Sequence, residues 1–538
     1  MENTVFDKKE LVKFLLKKSI LITPDLLDSI DKISSVSEFY EFIKRNIISE
    51  DFMIINKDIQ TLLSNKSHID ANWLEFEKLK AISEKRKNGK IYEKFLGYLT
   101  ETQEKTKTKE VTSTKKTQFL VKPIFSYNNL QTKKREIQDF VSHFNSRFRT
   151  IEAMISKRAE LVNLMSIQRL NAKKERDTVS IIGMVYSKQY TKNKNLILEL
   201  EDPTGNIKVL VNHNKPELFE QAKDIVLDEV IGIIGQNGDK ILFSNNIVWP
   251  DVPLTKELKK CNDEVYAVFL SDLHVGSSNF LEKEVGKFIR WINAEAGSES
   301  QRAVARRAEY IFIVGDLVDG VGIYPGQEAD LEITDIYKQY ERCAEILSEI
   351  PTDKAIIICP GNHDAMRIAE PQMVLYKDIA KPLWDLPNVF MVSNPSLVNI
   401  HSSSDFPGFD ILLYHGYSFD YYAREVESIR NKGGYDRADL LMKFLMKRRH
   451  LAPAHTSTLY SPDVKEDSLV IKTIPDIFVT GHIHKCAAAS YRNISLICGS
   501  CWQSKTSFQE KVGHNPEPCR VPIVNLASRE MKIMKFGD

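Results

Sequence analysis

The sequence lacks any apolar run approaching the roughly 20 residues that a membrane-spanning helix needs, so a spanning protein is not expected. Its opening residues, MENTVFDKKELVKFLLKKS, hold neither a long signal core nor a small-residue cleavage site. They read as an amphipathic helix with Val12, Leu15, Leu16 and Ile20 on one face. Cysteine is sparse, with seven in 538 residues, and the only close pair is Cys498 and Cys501 in CGSC. One CxxC without a second pair is a weak zinc or redox signal, so reduced thiols in a reducing compartment are expected. An excess of either charge is also missing: 74 Lys and Arg stand against 73 Asp and Glu. The total identifies no partner, because the signs can be segregated along the chain. A soluble intracellular protein is expected.

The chain is too long for one compact domain, and its patterning divides it. Residues 1–70 carry helix-period apolar positions in ELVKFLLKKSILITPDLLDSIDKI and SEFYEFIKRNII, which predict a small helical domain. Residues 71–117 form a linker region. From about residue 101 (ETQEKTKTKEVTSTKKT) almost nothing is apolar, so the chain cannot offset its ordering entropy and is expected to be flexible. Residues 118–175 read as a basic helical segment. From 176 to 255 the period becomes two, with turn chemistry at Asp202-Pro203-Thr204-Gly205 and Asn237-Gly238-Asp239. Five or so short strands there suggest a closed barrel of OB type. Few aromatics fall on its predicted strand faces, which favours an interaction module over single-strand stacking.

From 256 to 538 strands and helices alternate. Five apolar runs (VYAVFLSD, YIFIVGD, AIIICPGN, FDILLYHG and IPDIFVTGHIH) each end on a polar cluster. Strands that all deliver polar groups at one end form the catalytic face of an α/β-type sheet. The clusters supply Asp272 and His274, then Asp316, then Asn362 and His363, then His415, and last His482 and His484. Each alone is ordinary, since a strand-end Asp is usually a helix cap. Together, Asp, Asn and His without thiolate suit a borderline-hard divalent metal rather than a structural zinc knot. Two ions held about 3.5–4 Å apart clamp a phosphate and turn water into hydroxide. A neutral His nearby can then serve the leaving oxygen.

The order DLH, GDLVDG, GNHD, HG, GHIH resembles the calcineurin-like metallophosphoesterase superfamily. The longer stretches GDLVDGVGIYPGQE, GNHDAMRIAEPQ and QSKTSFQ resemble the small subunits of archaeal D-family DNA polymerases, over roughly residues 120–538. The resemblance implies a multidomain α+β architecture: helical N-terminal domain, linker, OB barrel, and a two-sheet α/β/β/α phosphoesterase sandwich. It implies two divalent ions, one on Asp272, His274 and His484, the other on Asn362, His415 and His482, with Asp316 bridging. His363 would assist leaving-group departure. Manganese is the usual family metal; the side chains do not choose between it, iron and zinc. The implied activity is 3′–5′ exonuclease proofreading of DNA beside a large catalytic polymerase subunit, in the cytoplasm at the nucleoid. The N-terminal domain would suit recruitment of another replication factor.

Two other readings differ in class: a scaffold subunit with a silent site, and a free-standing small-molecule phosphoesterase. The complete ligand set argues against the first, the barrel against the second. Tyr417 stands where the family pattern leads one to expect Arg, which bears on strand binding. Asp364 reads as an orienting residue and Asp319 as ambiguous. AHTST (454–458) and QSKTSFQ are polar loops, either lining a DNA path or simply at the surface.

Overall fold

The computed structural model describes residues 120–128, 134–462, 466–511 and 513–537, with the pairs 21–22 and 54–55. The chain divides into two compact units, Met1–Lys116 and Thr117–Asp538. In the first, Leu21–Ile22 pairs in parallel with Ile54–Ile55. Leu21 and Ile22 are extended, inside a run whose period predicted helix. The rest of the expected helical domain and linker lies outside the described residues.

The second unit begins with a strand, β1 (Val121–Ser126), where a helical segment was expected. Helix α1 (Ile137–Ile155) follows, with a reciprocal capping box between Glu136 and Asp139. Next comes a closed five-stranded barrel, β2 (Thr178–Tyr190), β3 (Leu196–Asp202), β4 (Gly205–Val211), β5 (Val230–Asn237) and β6 (Ile241–Val248), in the order β2-β3-β4-β6-β5. Alternation sends Leu196, Leu198 and Leu200 inward with Val209, Val211, Ile233 and Leu242. The β3–β4 hairpin closes as its sequence required: Asp202 Oδ1 accepts the Thr204 and Gly205 N–H groups at 2.7 and 3.0 Å. Tyr186, Tyr190 and Phe243 are exposed on barrel strands, more aromatic surface than the predicted strand faces allowed.

The remaining strands form two six-stranded sheets. The first holds β7 (Tyr266–Leu270), β8 (Ala308–Val314), β9 (Ala355–Cys359), β10 (Val389–Met391), β16 (Arg520–Asn525) and β17 (Met531–Lys535), in the order β10-β9-β8-β7-β16-β17. The second holds β11 (Ser396–Ile400), β12 (Phe409–Leu413), β13 (Ile477–Thr480), β14 (Ala487–Tyr491) and β15 (Ile494–Cys498), in the order β14-β15-β13-β12-β11-β1. So β1 crosses into the phosphoesterase sheet, antiparallel to β11, before the chain enters the barrel.

Alternation along each strand makes the layers. Phe269, Phe312 and Val314 of the first sheet meet Val398, Ile411 and Val479 of the second. The opposite faces pack on helices: Ile311 and Ile313 with Phe288, Trp291 and Tyr340 on one side, Leu412 and Phe478 with Leu441 and Leu445 on the other.

The barrel and α1 are held to this sandwich by buried charges. Arg147 of α1 donates through Nε to Asp467 Oδ2 and through Nη1 to the Pro453 carbonyl, each at 2.7 Å. Glu229, just before β5, pairs with Arg448, which also donates to the Asp224 carbonyl at 2.6 Å. All seven cysteines are free thiols, and Cys498 and Cys501 are buried. Among the described residues no helix is long and apolar enough to cross a membrane.

Candidate metal centre

The five polar clusters lie at the C-terminal ends of β7, β8, β9, β12 and β13, drawn from both sheets. Parallel strands deliver their ends to one rim, and pairing sets them in register: the Asp272 N–H reaches the Gly315 carbonyl, and the His274 N–H the Asp316 carbonyl, each at 3.0 Å. Five site residues occupy the left-handed region: Asp272 (φ 52°), His274 (52°), Asp316 (51°), His482 (73°) and His484 (52°). Non-glycine residues enter that region at a cost, and such strain collects at functional sites. Two glycines make room. A Cβ on Gly361 would collide with Asp316 Oδ1, and one on Gly315 with the His415 ring.

Three groups of ligating atoms lie within 4.8 Å of one another: Asp272, His274 and His484; His274, Asp316 and His363; Asp316, His415 and His482. Asp316 belongs to two of them. Asn362 joins through Oδ1, 3.0 Å from His415 Nε2. All eight residues singled out in the sequence thus converge on one place.

The protons in this cluster can be assigned. A carbonyl only accepts, so the His415 Nδ1–H donates to Val314 O at 2.9 Å, and the His363 Nδ1–H to Asp319 O at 2.8 Å. Likewise His274 Nδ1 donates to Asp319 Oδ1 at 3.0 Å. The opposite nitrogens then face other acceptors. His415 Nε2 lies 3.3 Å from Asp316 Oδ2, and His274 Nε2 lies 3.1 Å from His484 Nε2.

Such a cluster demands positive charge. Burial alone would depress His415, but the Asp316 carboxylate overrides it and drives the ring up to about 10. Burial likewise opposes His274, whose bond to Asp319 and the nearby Asp316 charge raise it to about 9. Burial would raise Asp316; the charges of His415 and His363 hold it well below the usual carboxylate range instead. His484, buried and facing His274, is pushed well down. A divalent cation supplies the same positive charge through the same lone pairs, so the donor set fits one.

The surrounding residues settle points the sequence left open. Asp319 supports two rings, His274 with its carboxylate and His363 with its carbonyl, and accepts from Gln327 and Gln503 at 3.0 Å each. Asp364 accepts from the Gly361 N–H at 2.8 Å and from Tyr340 Oη at 3.1 Å, tying the β9 loop to a helix. Burial and the Asp316 charge push it up to about 7. Tyr417 lies beside His482, ring centroids 5.6 Å apart.

Four further residues escaped the sequence reading. Gln509 Nε2 sits 2.9 Å from His484 Nδ1, so QSKTSFQ, through Gln503 and Gln509, reaches the centre itself. Asp420 Oδ2 lies 3.3 Å from His482 Nε2. Glu370 is buried and accepts from Thr458 Oγ1 at 2.8 Å and Tyr414 Oη at 3.1 Å. Within AHTST, Ser457 and Thr458 therefore turn inward, while His455 stays exposed. The sequence signals for these were indirect: Asp420 and Glu370 lie in the stretches that carry His415 and Asn362, and Gln503 and Gln509 in the QSKTSFQ stretch.

Against known proteins, residues 266–486 match a calcineurin-like phosphoesterase model and residues 179–236 an OB-fold nucleic acid binding domain model. The DNA polymerase II small subunit of Methanothermobacter thermautotrophicus is 40% identical over 402 residues, covering 75% of this chain and 80% of that one. The chain belongs to the DNA polymerase II small subunit family. The Archaeoglobus fulgidus member is 39% identical over 402 residues, covering 75% and 78%; that of Pyrococcus furiosus is 37% identical over 406 residues, covering 74% and 64%. The family membership removes the free-standing small-molecule enzyme as a reading. A phosphoesterase domain of this type implies divalent metal ions, and the three Asp–His groups are the residues that fit them.

Proposed function

We propose that this chain is the proofreading subunit of a replicative polymerase, with a two-metal 3′–5′ exonuclease in its phosphoesterase domain. Asp272, His274 and His484 would hold one ion, Asn362, His415 and His482 the other, and Asp316 both. Manganese is the metal we assign. The observation that carries the reading is the position of Asp316, shared between two ligand groups at the rim of both sheets. When bound, the ions supply charge for the phosphate and a hydroxide at neutral pH.

The chain's own residues do the rest. Asp319 fixes the His363 ring through Nδ1, leaving Nε2 towards the site, where the ring, once it carries a second proton on Nε2, donates that proton to the leaving 3′ oxygen and returns to neutral. Asp272, His274, Asp316, His415 and His484 are buried, which strengthens the charge interactions among them. The polymerase site would lie on a large catalytic subunit. The OB barrel, locked to the sandwich through Glu229 and Arg448, would serve as the assembly module and present Tyr186, Tyr190 and Phe243 to a partner or a single strand. Recruitment of another replication factor by residues 1–70 completes the proposal.

The test is degradation of a 3′-mismatched primer–template with manganese, for wild type and His363→Ala, alone and with the large subunit. Shortening from the 3′ end by wild type only is the expected result. No degradation by wild type in either setting would make the chain a catalytically silent scaffold.

A further inference from the structure

Each histidine ring at the centre has a partner beside one of its two nitrogens. His274 is held by the Asp319 carboxylate, His363 by the Asp319 carbonyl, His415 by the Val314 carbonyl, and His484 by Gln509. In the three rings whose partner is an oxygen, Nδ1 is the held nitrogen and Nε2 is left to the centre. His482 departs from that pattern: it is Nε2 that faces a partner, 3.3 Å from Asp420 Oδ2.

We propose that Asp420 is the positioning residue for His482: its carboxylate accepts the Nε2–H and leaves Nδ1 with the lone pair that His482 contributes beside Asp316 and His415. The proposal rests on the two-metal reading of the site. Three observations support it. His482 is anchored at its backbone, where its N–H donates to both Asp272 oxygens at 3.1 and 3.0 Å, but that anchor leaves the ring free to rotate about its side-chain bonds. Its ring neighbours His415 and Tyr417 touch it by faces and edges, at centroid distances of 5.2 and 5.6 Å, and supply packing rather than a tautomer. A hydrogen-bond acceptor selects which nitrogen carries the proton, and among the described residues the Asp420 carboxylate is the acceptor beside this ring's Nε2. The third is placement: Asp420 and His415 belong to one short segment, HGYSFD, so the loop that supplies one ligand of the group also orients another.

An ordinary explanation competes. Asp420 is an acid in the first turn of the helix Phe419–Glu425 and is partly exposed, as expected of a residue placed for the helix dipole alone. The two roles part in their effect on metal. A helix-end acid changes stability slightly and leaves ion affinity alone. Loss of a partner that orients a ligating histidine weakens metal binding by about 10–100-fold.

The experiment titrates manganese into metal-free full-length wild type, Asp420→Ala and Asp420→Glu, by calorimetry and by the spin-coupled resonance of a manganese pair. Wild type is expected to bind two ions. Asp420→Ala should keep one affinity and lose about 10–100-fold at the other, with the paired signal appearing only at correspondingly higher manganese. Asp420→Glu should recover part of the loss. Metal-free melting temperature should be close to wild type. Wild-type affinities at both positions in Asp420→Ala would overturn the role of Asp420 and leave the two-metal reading standing. Fewer than two ions on wild type would overturn that reading, whatever the variants do.

Discussion

Asp316 and Asp467 are both buried carboxylates held well below the usual range, yet their surroundings differ in kind. Burial would raise Asp467, but the permanent cation of Arg147, at 2.7 Å, outweighs it. His450 there is neutral: its Nδ1 accepts the Ala452 N–H at 2.9 Å, so its Nε2–H donates to Asp467 at 2.8 Å. One negative charge meets one positive, and the chain supplies both. Around Asp316 no Arg or Lys makes a recorded ion pair among the described residues; lone pairs face lone pairs, and rings are driven up to about 9 and about 10. Backbone follows the same division. Five residues of the centre sit in the left-handed region, whereas Arg147, His450 and Asp467 do not. A buried polar cluster is therefore not in itself a site. What distinguishes the centre is charge that the protein leaves for something else to balance.

The largest effect that sharpens this contrast is on rate. His363→Ala should cut exonuclease kcat by about 10²–10⁴-fold with manganese binding retained, and Arg147→Ala should leave the rate per folded molecule unchanged. Stability should reverse the order. Arg147→Ala strands the Asp467 charge and should cost about 3–5 kcal/mol in urea denaturation; an unchanged midpoint would mean the α1 seam is not held by this pair. Metal should separate the clusters again. Manganese at a hundred times its dissociation constant should stabilise by about 2.7 kcal/mol per ion, a gain that chelator removes, that Asp316→Ala loses and that Arg147→Ala keeps.

A smaller effect concerns pH. Burial, then the Arg147 charge, lowers His450 to about 4 in the fold, against about 6.5 unfolded. Protonation therefore favours the unfolded chain. The contribution is intact above about pH 6.5 and is lost as pH falls towards about 4. His450→Gln, which keeps an N–H donor without the titration, should flatten stability across that window; an unaltered slope would refute the assignment. The smallest effect belongs at the surface. Arg302→Ala breaks a largely exposed pair with Glu299 and should shift stability by at most about 1 kcal/mol.

Much of the phosphoesterase domain was legible because its signals are local. A buried strand is a short apolar run, and a polar cluster at its end is adjacent in sequence, so Asp272, Asp316, Asn362, His415 and His482 could each be found without knowing what they meet. The barrel was legible for the same reason, through period two and the Asp202 turn. What failed was non-local. The Lys and Arg around residues 132–135 drew attention to a basic helix and away from β1, whose partner β11 lies some 270 residues on. Asp420 and Gln509 look like ordinary surface residues until the strands are assembled.

The sequence by itself determined the strands, the polar residue types at their ends and the donor set without thiolate, because each depends on chain neighbours. Only the tertiary structure decided which atoms face which. It set Asp316 in two ligand groups, gave Asp319 two rings to hold, turned His482 towards Asp420 and closed the seam at Asp467. Those are distances between segments brought together by sheet pairing and core packing, and sequence spacing does not encode them.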